Sequence, residues 1–132
     1  MKQSLAYIAL LVNDYDEAID YYTSILHFKL IQDIPMEEGK RWVLIGPSEG
    51  SGSQILLARA VNEVQTQAVG HQSGGRVFLF LYTDDFYRDY DSMISKGVEF
   101  VRAPSSEAYG MVAVFKDLYG NLWDLIEPKD GF

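Results

Sequence analysis

Tyr7-Ile8-Ala9-Leu10-Leu11-Val12-Asn13-Asp14-Tyr15-Asp16-Glu17-Ala18 reads as a strand, a break and the start of a helix. The apolar run Leu5–Val12 has the character of a strand buried on both faces, and Asn13-Asp14 ends it. Asp14 stands three residues before Glu17, an acidic form of the capping box, in which a side-chain oxygen accepts an otherwise unpaired N–H of the first helical turn. Ala18, Ile19, Tyr22, Ile25 and Leu26 then recur at helical spacing, so one apolar stripe predicts a helix over residues 15–26. His27 follows it where a C-terminal capping residue belongs.

The same order returns further along. After the helix, Phe28–Ile34 reads as a strand ended by Pro35, Arg41–Ile45 as a strand ended by Gly46-Pro47, and Gln54–Arg59 as a third, with Ser48–Ser53 as the loop between the last two. Then Val77–Thr83 is a second apolar strand, Asp84-Asp85 supplies a cap, and Phe86, Tyr90, Met93 and Ile94 form a stripe that predicts a helix near 86–96. Gly97 lies at its left-handed cap. Val98–Arg102, ended by Pro104, Met111–Lys116 and Leu122–Glu127 are the closing strands, the last two joined by the turn Asp117–Asn121. A shift of 71 residues lays Tyr7 on Phe78 and Asp14 on Asp85; a shift of 68 lays Leu56 on Asp124. The chain is therefore a tandem repeat of a βαβββ unit, at about 4–59 and 76–128. A connector at about 60–75 joins the halves, with Asn62-Glu63 as a cap for a short turn of helix and Gly70, Gly74 and Gly75 as a flexible joint.

Composition narrows the function. A chain of 132 residues with 48% hydrophobic content fits a single domain with its own core. There is no cysteine, which removes disulfides, thiolate metal sites and a cysteine nucleophile, and suits a reducing, cytoplasmic setting. The net charge of −8, with no basic run, argues against nucleic acid as a partner. No apolar stretch is long enough to span a bilayer, so no membrane partner is expected. Neither histidine, His27 nor His71, sits in a triad-like context, and Gly74-Gly75-Arg76 has no helix after it to form a phosphate loop.

Three segments carry a family likeness: Tyr7–Ala18 followed by Tyr21-Tyr22, Gly97-Val98-Glu99-Phe100, and Asp117-Leu118-Tyr119-Gly120-Asn121-Leu122-Trp123-Asp124-Leu125. They resemble the vicinal-oxygen-chelate superfamily, the group of glyoxalase I, bleomycin-resistance proteins and extradiol dioxygenases. The resemblance implies an α+β fold of two βαβββ units forming paired half-barrel sheets around a cleft, and a homodimer. It also implies that metal-using members place His and Glu ligands on the first and last strands of each unit. The corresponding residues here are Tyr7, Leu56, Phe78 and Asp124. Only Asp124 is a good ligand for a divalent ion, whereas a transition-metal site needs three or four converging donors.

Two readings follow. In the first, the chain resembles the drug-sequestering members and binds a small organic molecule in a metal-free cleft. Tyr7, Leu56, Phe78, Tyr82 and Trp42 line the cleft, and Asp124 is a charge at the end of an apolar slot. In the second, it is a lyase, isomerase or dioxygenase of this group, with Asp124 as catalytic base or as ligand of a weakly bound divalent metal. No cofactor is expected in the first reading, and a labile metal in the second.

Overall fold

The computed structural model describes residues 1–47 and 52–131. Most of the loop expected at Ser48–Ser53 lies outside the described residues. The chain divides into two compact units, Met1–Val69 and the part from Gly70 onward. The first holds β1 (Tyr7–Val12), α1 (Tyr15–Asp20), β2 (Phe28–Pro35), β3 (Arg41–Pro47), β4 (Gln54–Arg59) and α2 (Glu63–Ala68). The second holds β5 (Val77–Tyr82), α3 (Phe86–Ser95), β6 (Phe100–Glu107), β7 (Gly110–Lys116) and β8 (Leu122–Pro128). Each builds one four-stranded sheet, ordered β1-β4-β3-β2 in one and β5-β8-β7-β6 in the other. In each, the first strand runs parallel to the last and the remaining pairs are antiparallel. This is the tandem βαβββ architecture that the repeat in the sequence predicts.

The caps work as their spacing implies. Asp14 Oδ2 accepts from Glu17 N at 2.8 Å, and Asp85 Oδ1 accepts from Arg88 N at 3.2 Å, so the two aspartates related by 71 residues start equivalent helices. Register supports both offsets: Leu56 is opposite Ala9, and Asp124 is opposite Phe80. In the first unit, Tyr15, Ala18 and Tyr22 are buried with Leu10, Val12, Val43, Ile45, Ile55 and Leu57. In the second, Phe86 and Met93 are buried with Ala113, Phe115, Trp123 and Leu125, and Phe115 stacks on Trp123 at 5.9 Å.

Three local readings need correction. The first helix is not α-helical to residue 26, because a π-helical turn over Tyr21–Ile25 completes it, with Leu26 N donating to Tyr21 O. Thr23 Oγ1 donates back to the Ile19 carbonyl at 2.7 Å, a contact that bends helices. Pro104 does not stop its strand: β6 runs on to Glu107, with register shifts on either side of Arg102. An edge strand tolerates proline because its outward N–H has no partner to lose. The connector is not simply flexible. Asn62 caps α2 by accepting from Gln65 N at 2.9 Å, and the backbone of Gly70 lies against the Tyr119 carbonyl. No helix among the described residues is long and apolar enough to cross a membrane.

Candidate functional site

Strand alternation gives each sheet a face packed on its helix and an opposite face that is open at its edges, with Leu44, Val112, Val114 and Ile126 buried at its centre. In the first unit, one row of the open face reads Ala9, Leu56, Leu44 and Gln32 across β1, β4, β3 and β2. Tyr7 and Trp42 belong to the same face, and their rings meet edge to face at 5.7 Å and 81°. Trp42 is further held by Gln32, whose Oε1 accepts from the indole Nε1 at 3.0 Å. Tyr7 is half exposed, Leu56 is half-buried and Leu44 is buried. The predicted residues Tyr7, Trp42 and Leu56 therefore share one sheet face, and the first two touch.

The helix-facing side of this sheet is charged at its rim. Arg41 donates to both oxygens of Asp33 (3.1 and 2.6 Å) and to Asp16 at 2.9 Å, with its guanidinium 5.2 Å from the Tyr15 ring. The hydrogen bond from Arg41 holds the Asp33 carboxyl below the usual carboxylate value. This network ties α1 to β2 and β3, and Asp16 thereby has a partner rather than only solvent.

In the second unit, the corresponding row reads Phe80, Asp124, Val114 and Arg102 across β5, β8, β7 and β6. The next row is Tyr82, Ile126, Val112 and Ser105. Asp124 and Tyr82 thus lie on one face in neighbouring rows. Phe78 stands at a register irregularity between Val77 and Leu79, so the β5 residue directly opposite Asp124 is Phe80. Phe80 is 64% exposed, an unusual state for a phenylalanine on a strand. Sequence reasoning passed over Phe80 although alternation through Tyr82 points to it. Arg102 and Gln32 were also missed. Both lie on outer strands with register irregularities, and a one-residue bulge reverses which side chains face the open side.

Asp124 is the chemically distinctive group. It is half-buried and has no hydrogen-bond partner among the described residues. Burial pushes its carboxyl above the usual carboxylate value, and the positive charge of Arg102 pulls it partly back. The residues that the resemblance sets at metal-ligand positions do not have the chemistry of a transition-metal donor set: Tyr7 and Leu56 in the first unit and Phe78 and Asp124 in the second supply one carboxylate and one phenol where three or four strong donors are required. Among the described residues, no three His, Cys, Asp or Glu side chains gather into a group able to hold an ion.

Comparison with known proteins places the fold in context. An uncharacterized protein of Shewanella frigidimarina (strain NCIMB 400) is 56% identical over 131 residues, covering 98% of this chain and 97% of that one. The crystal structure of UcmS2 superposes with a TM-score of 0.83 at 26% identity, covering 96% of this chain and 99% of that one. The structure of TnmS3, an antibiotic binding protein from Streptomyces sp. CB03234, gives a TM-score of 0.79 at 26% identity, with 97% and 98% covered. A family model matches residues 4–125, from before β1 into β8, and the chain belongs to the Glyoxalase/Bleomycin resistance protein/Dioxygenase superfamily.

Proposed function

We propose that this chain binds a small organic molecule without a metal ion, and that Asp124 selects the ligand. The observation that carries this reading is a desolvated carboxylate with no hydrogen-bond partner among the described residues, beside the exposed ring of Phe80. An apolar sheet face with aromatic side chains and one convergent polar group has the make-up of a ligand site. Tyr7, Leu56 and Trp42 supply such a surface in the first unit, and Phe78, Tyr82 and Asp124 in the second. Similarity to an antibiotic binding protein points the same way. The ligand bears a positive charge or an acidic hydrogen where it meets Asp124, because either compensates a poorly solvated carboxylate.

Asp124→Asn keeps the shape and removes the charge. Against a cationic ligand found by thermal-shift screening, it is expected to weaken binding by about 1–3 kcal/mol in calorimetry. Stability should move the other way. The folded carboxyl keeps its proton to higher pH than the unfolded one, so stability falls as pH rises through that window and the ionised group is a cost at pH 7. The melting temperature of Asp124→Asn at pH 7 is therefore expected to equal or exceed that of the parent. Unchanged affinity with a large loss of stability would make Asp124 a structural acid.

The donor set leads to a second expectation. Protein purified without a tag should carry well under one equivalent of Zn, Ni, Fe or Mn, and one equivalent retained through dialysis against a chelator would overturn the metal-free reading. The chain acts as a cytoplasmic homodimer, in keeping with its lack of cysteine and with the unpaired outer edges of β1 and β5, which a second copy can pair. Light scattering coupled to gel filtration checks this, and a monomer at micromolar concentration would count against it. In a second reading, Asp124 is the proton-transferring base of a lyase or isomerase, a role that its raised proton affinity supports.

A further inference from the structure

Asp124 is not the only charge on the open face of the second sheet. Arg102 of β6 occupies the same cross-strand row, with Val114 of β7 between them and Phe80 of β5 beyond. Two inter-strand steps separate the Asp124 and Arg102 backbones by roughly 10 Å. Arg102 Nη2 donates to Glu107 Oε1 at 2.8 Å, and Ser105 Oγ donates to the same oxygen at 2.7 Å. Nε and Nη1 of Arg102 have no partner among the described residues. An ion pair with both side chains this exposed contributes little by itself, so Glu107 orients the guanidinium without consuming it. The row therefore presents, in order, an aromatic ring, an acceptor, an apolar step and a forked cationic donor.

We propose that Arg102 is the second recognition group of this face and that the ligand is amphoteric. It is a flat aromatic molecule with an ionised acid group at one edge, met by Arg102, and an N–H or acidic O–H at the other, met by Asp124. This rests on the small-molecule-binding reading above and adds the ligand's chemical class. The guanidinium fork pairs with a planar oxyanion through two parallel hydrogen bonds, which an ammonium cannot reproduce. Val114, buried between the two charges, forms the apolar floor under the ring system, and the exposed ring of Phe80 flanks it beyond Asp124.

Calorimetry with 6-amino-2-naphthoic acid, 2-naphthoic acid and 2-aminonaphthalene tests the proposal, with thermal melting as the check on folding. The parent protein is expected to bind the aminonaphthoic acid most tightly. Arg102→Gln should weaken the two acid-bearing probes by roughly 10- to 100-fold and leave 2-aminonaphthalene within about twofold, as loss of a charge-assisted contact predicts. Arg102→Lys keeps the charge without the fork and should recover part of the loss. Asp124→Asn should weaken only the two amine-bearing probes. Equal effects of Arg102→Gln on all three probes, or none on any, would overturn the role of Arg102 while leaving the binding reading in place. Failure of all three probes to bind the parent protein would overturn both.

Discussion

Asp117→Ala is expected to lower stability by about 3–5 kcal/mol, a drop of roughly 10 °C or more in melting temperature. Asp117 is buried, at 6% exposure, and its two oxygens organise the turn before β8. Oδ1 accepts from the backbone N–H groups of Tyr119, Gly120 and Asn121 at 3.0–3.1 Å. Oδ2 accepts from the Asn121 side-chain amide and from Trp123 Nε1, both at 3.2 Å. Alanine removes the acceptor that these five donors share, although Gly120 N keeps its bond to the Asp117 backbone carbonyl at 3.1 Å, and each buried donor left unsatisfied costs about 1–3 kcal/mol. Asp117→Asn separates the two halves of the network. Its carbonyl oxygen can still serve the three backbone donors, but its NH₂ group then faces two other N–H donors. It should fall between the parent and Asp117→Ala. A melting temperature for Asp117→Ala within 3 °C of the parent would show that water substitutes for the carboxylate.

The contrast with Asp124 is instructive, because the two acids lie seven residues apart on one turn and strand. One is buried and fully bonded, and its removal should cost stability. The other is half-buried, its carboxylate has no hydrogen bond among the described residues, and its removal should cost affinity. The closing segment is one of the three that carry the family likeness; along β8, Trp123 and Leu125 are buried against the helix, with Asp124 between them on the other face, where Ile126 is buried as well. What could not be read was the state of each carboxylate, since hydrogen bonds depend on three-dimensional partners.

Element order, both N-caps and the internal repeat were legible, because each rests on local chemistry: an apolar run, a side chain three residues before an N–H, a left-handed cap. His27 shows how far such reasoning reaches, with φ at +60° in the capping position where the sequence placed it. The candidate site was legible only in part. Period-two alternation carries through regular strands, and so Tyr7, Trp42, Leu56 and Asp124 fall on open faces. It fails at irregularities, which lie near Phe78 in β5, between Leu30 and Gln32 in β2, and on both sides of Arg102 in β6. A bulge leaves almost no mark in sequence, yet it decides which residue stands opposite Asp124. The same holds for the π-helical turn at Tyr21–Ile25, which no spacing of apolar residues announces.

Gly70→Ala is expected to cost roughly 3 kcal/mol or more. Gly70 has φ of +77°, and a Cβ there would lie 1.9 Å from the Tyr119 carbonyl oxygen and 2.7 Å from its carbon. Both are backbone atoms of the Asp117–Asn121 turn, so neither can swing aside as a side chain would. The turn is held by the Asp117 network, and Asn121 Oδ1 also accepts from Gln72 N at 3.2 Å, clasping the segment after Gly70. Relief of the overlap must therefore break one of these contacts. Gly74→Ala supplies the control. Its φ of +70° is nearly the same, but nothing lies within 4 Å of the added carbon. It should lose only the conformational term, about 1–2 kcal/mol. The difference between the two variants in chemical denaturation isolates the steric term from the backbone term. If Gly70→Ala loses no more stability than Gly74→Ala, the close approach of Gly70 to Tyr119 is not a fixed feature of the fold, and the connector is as pliable as its glycines first suggest.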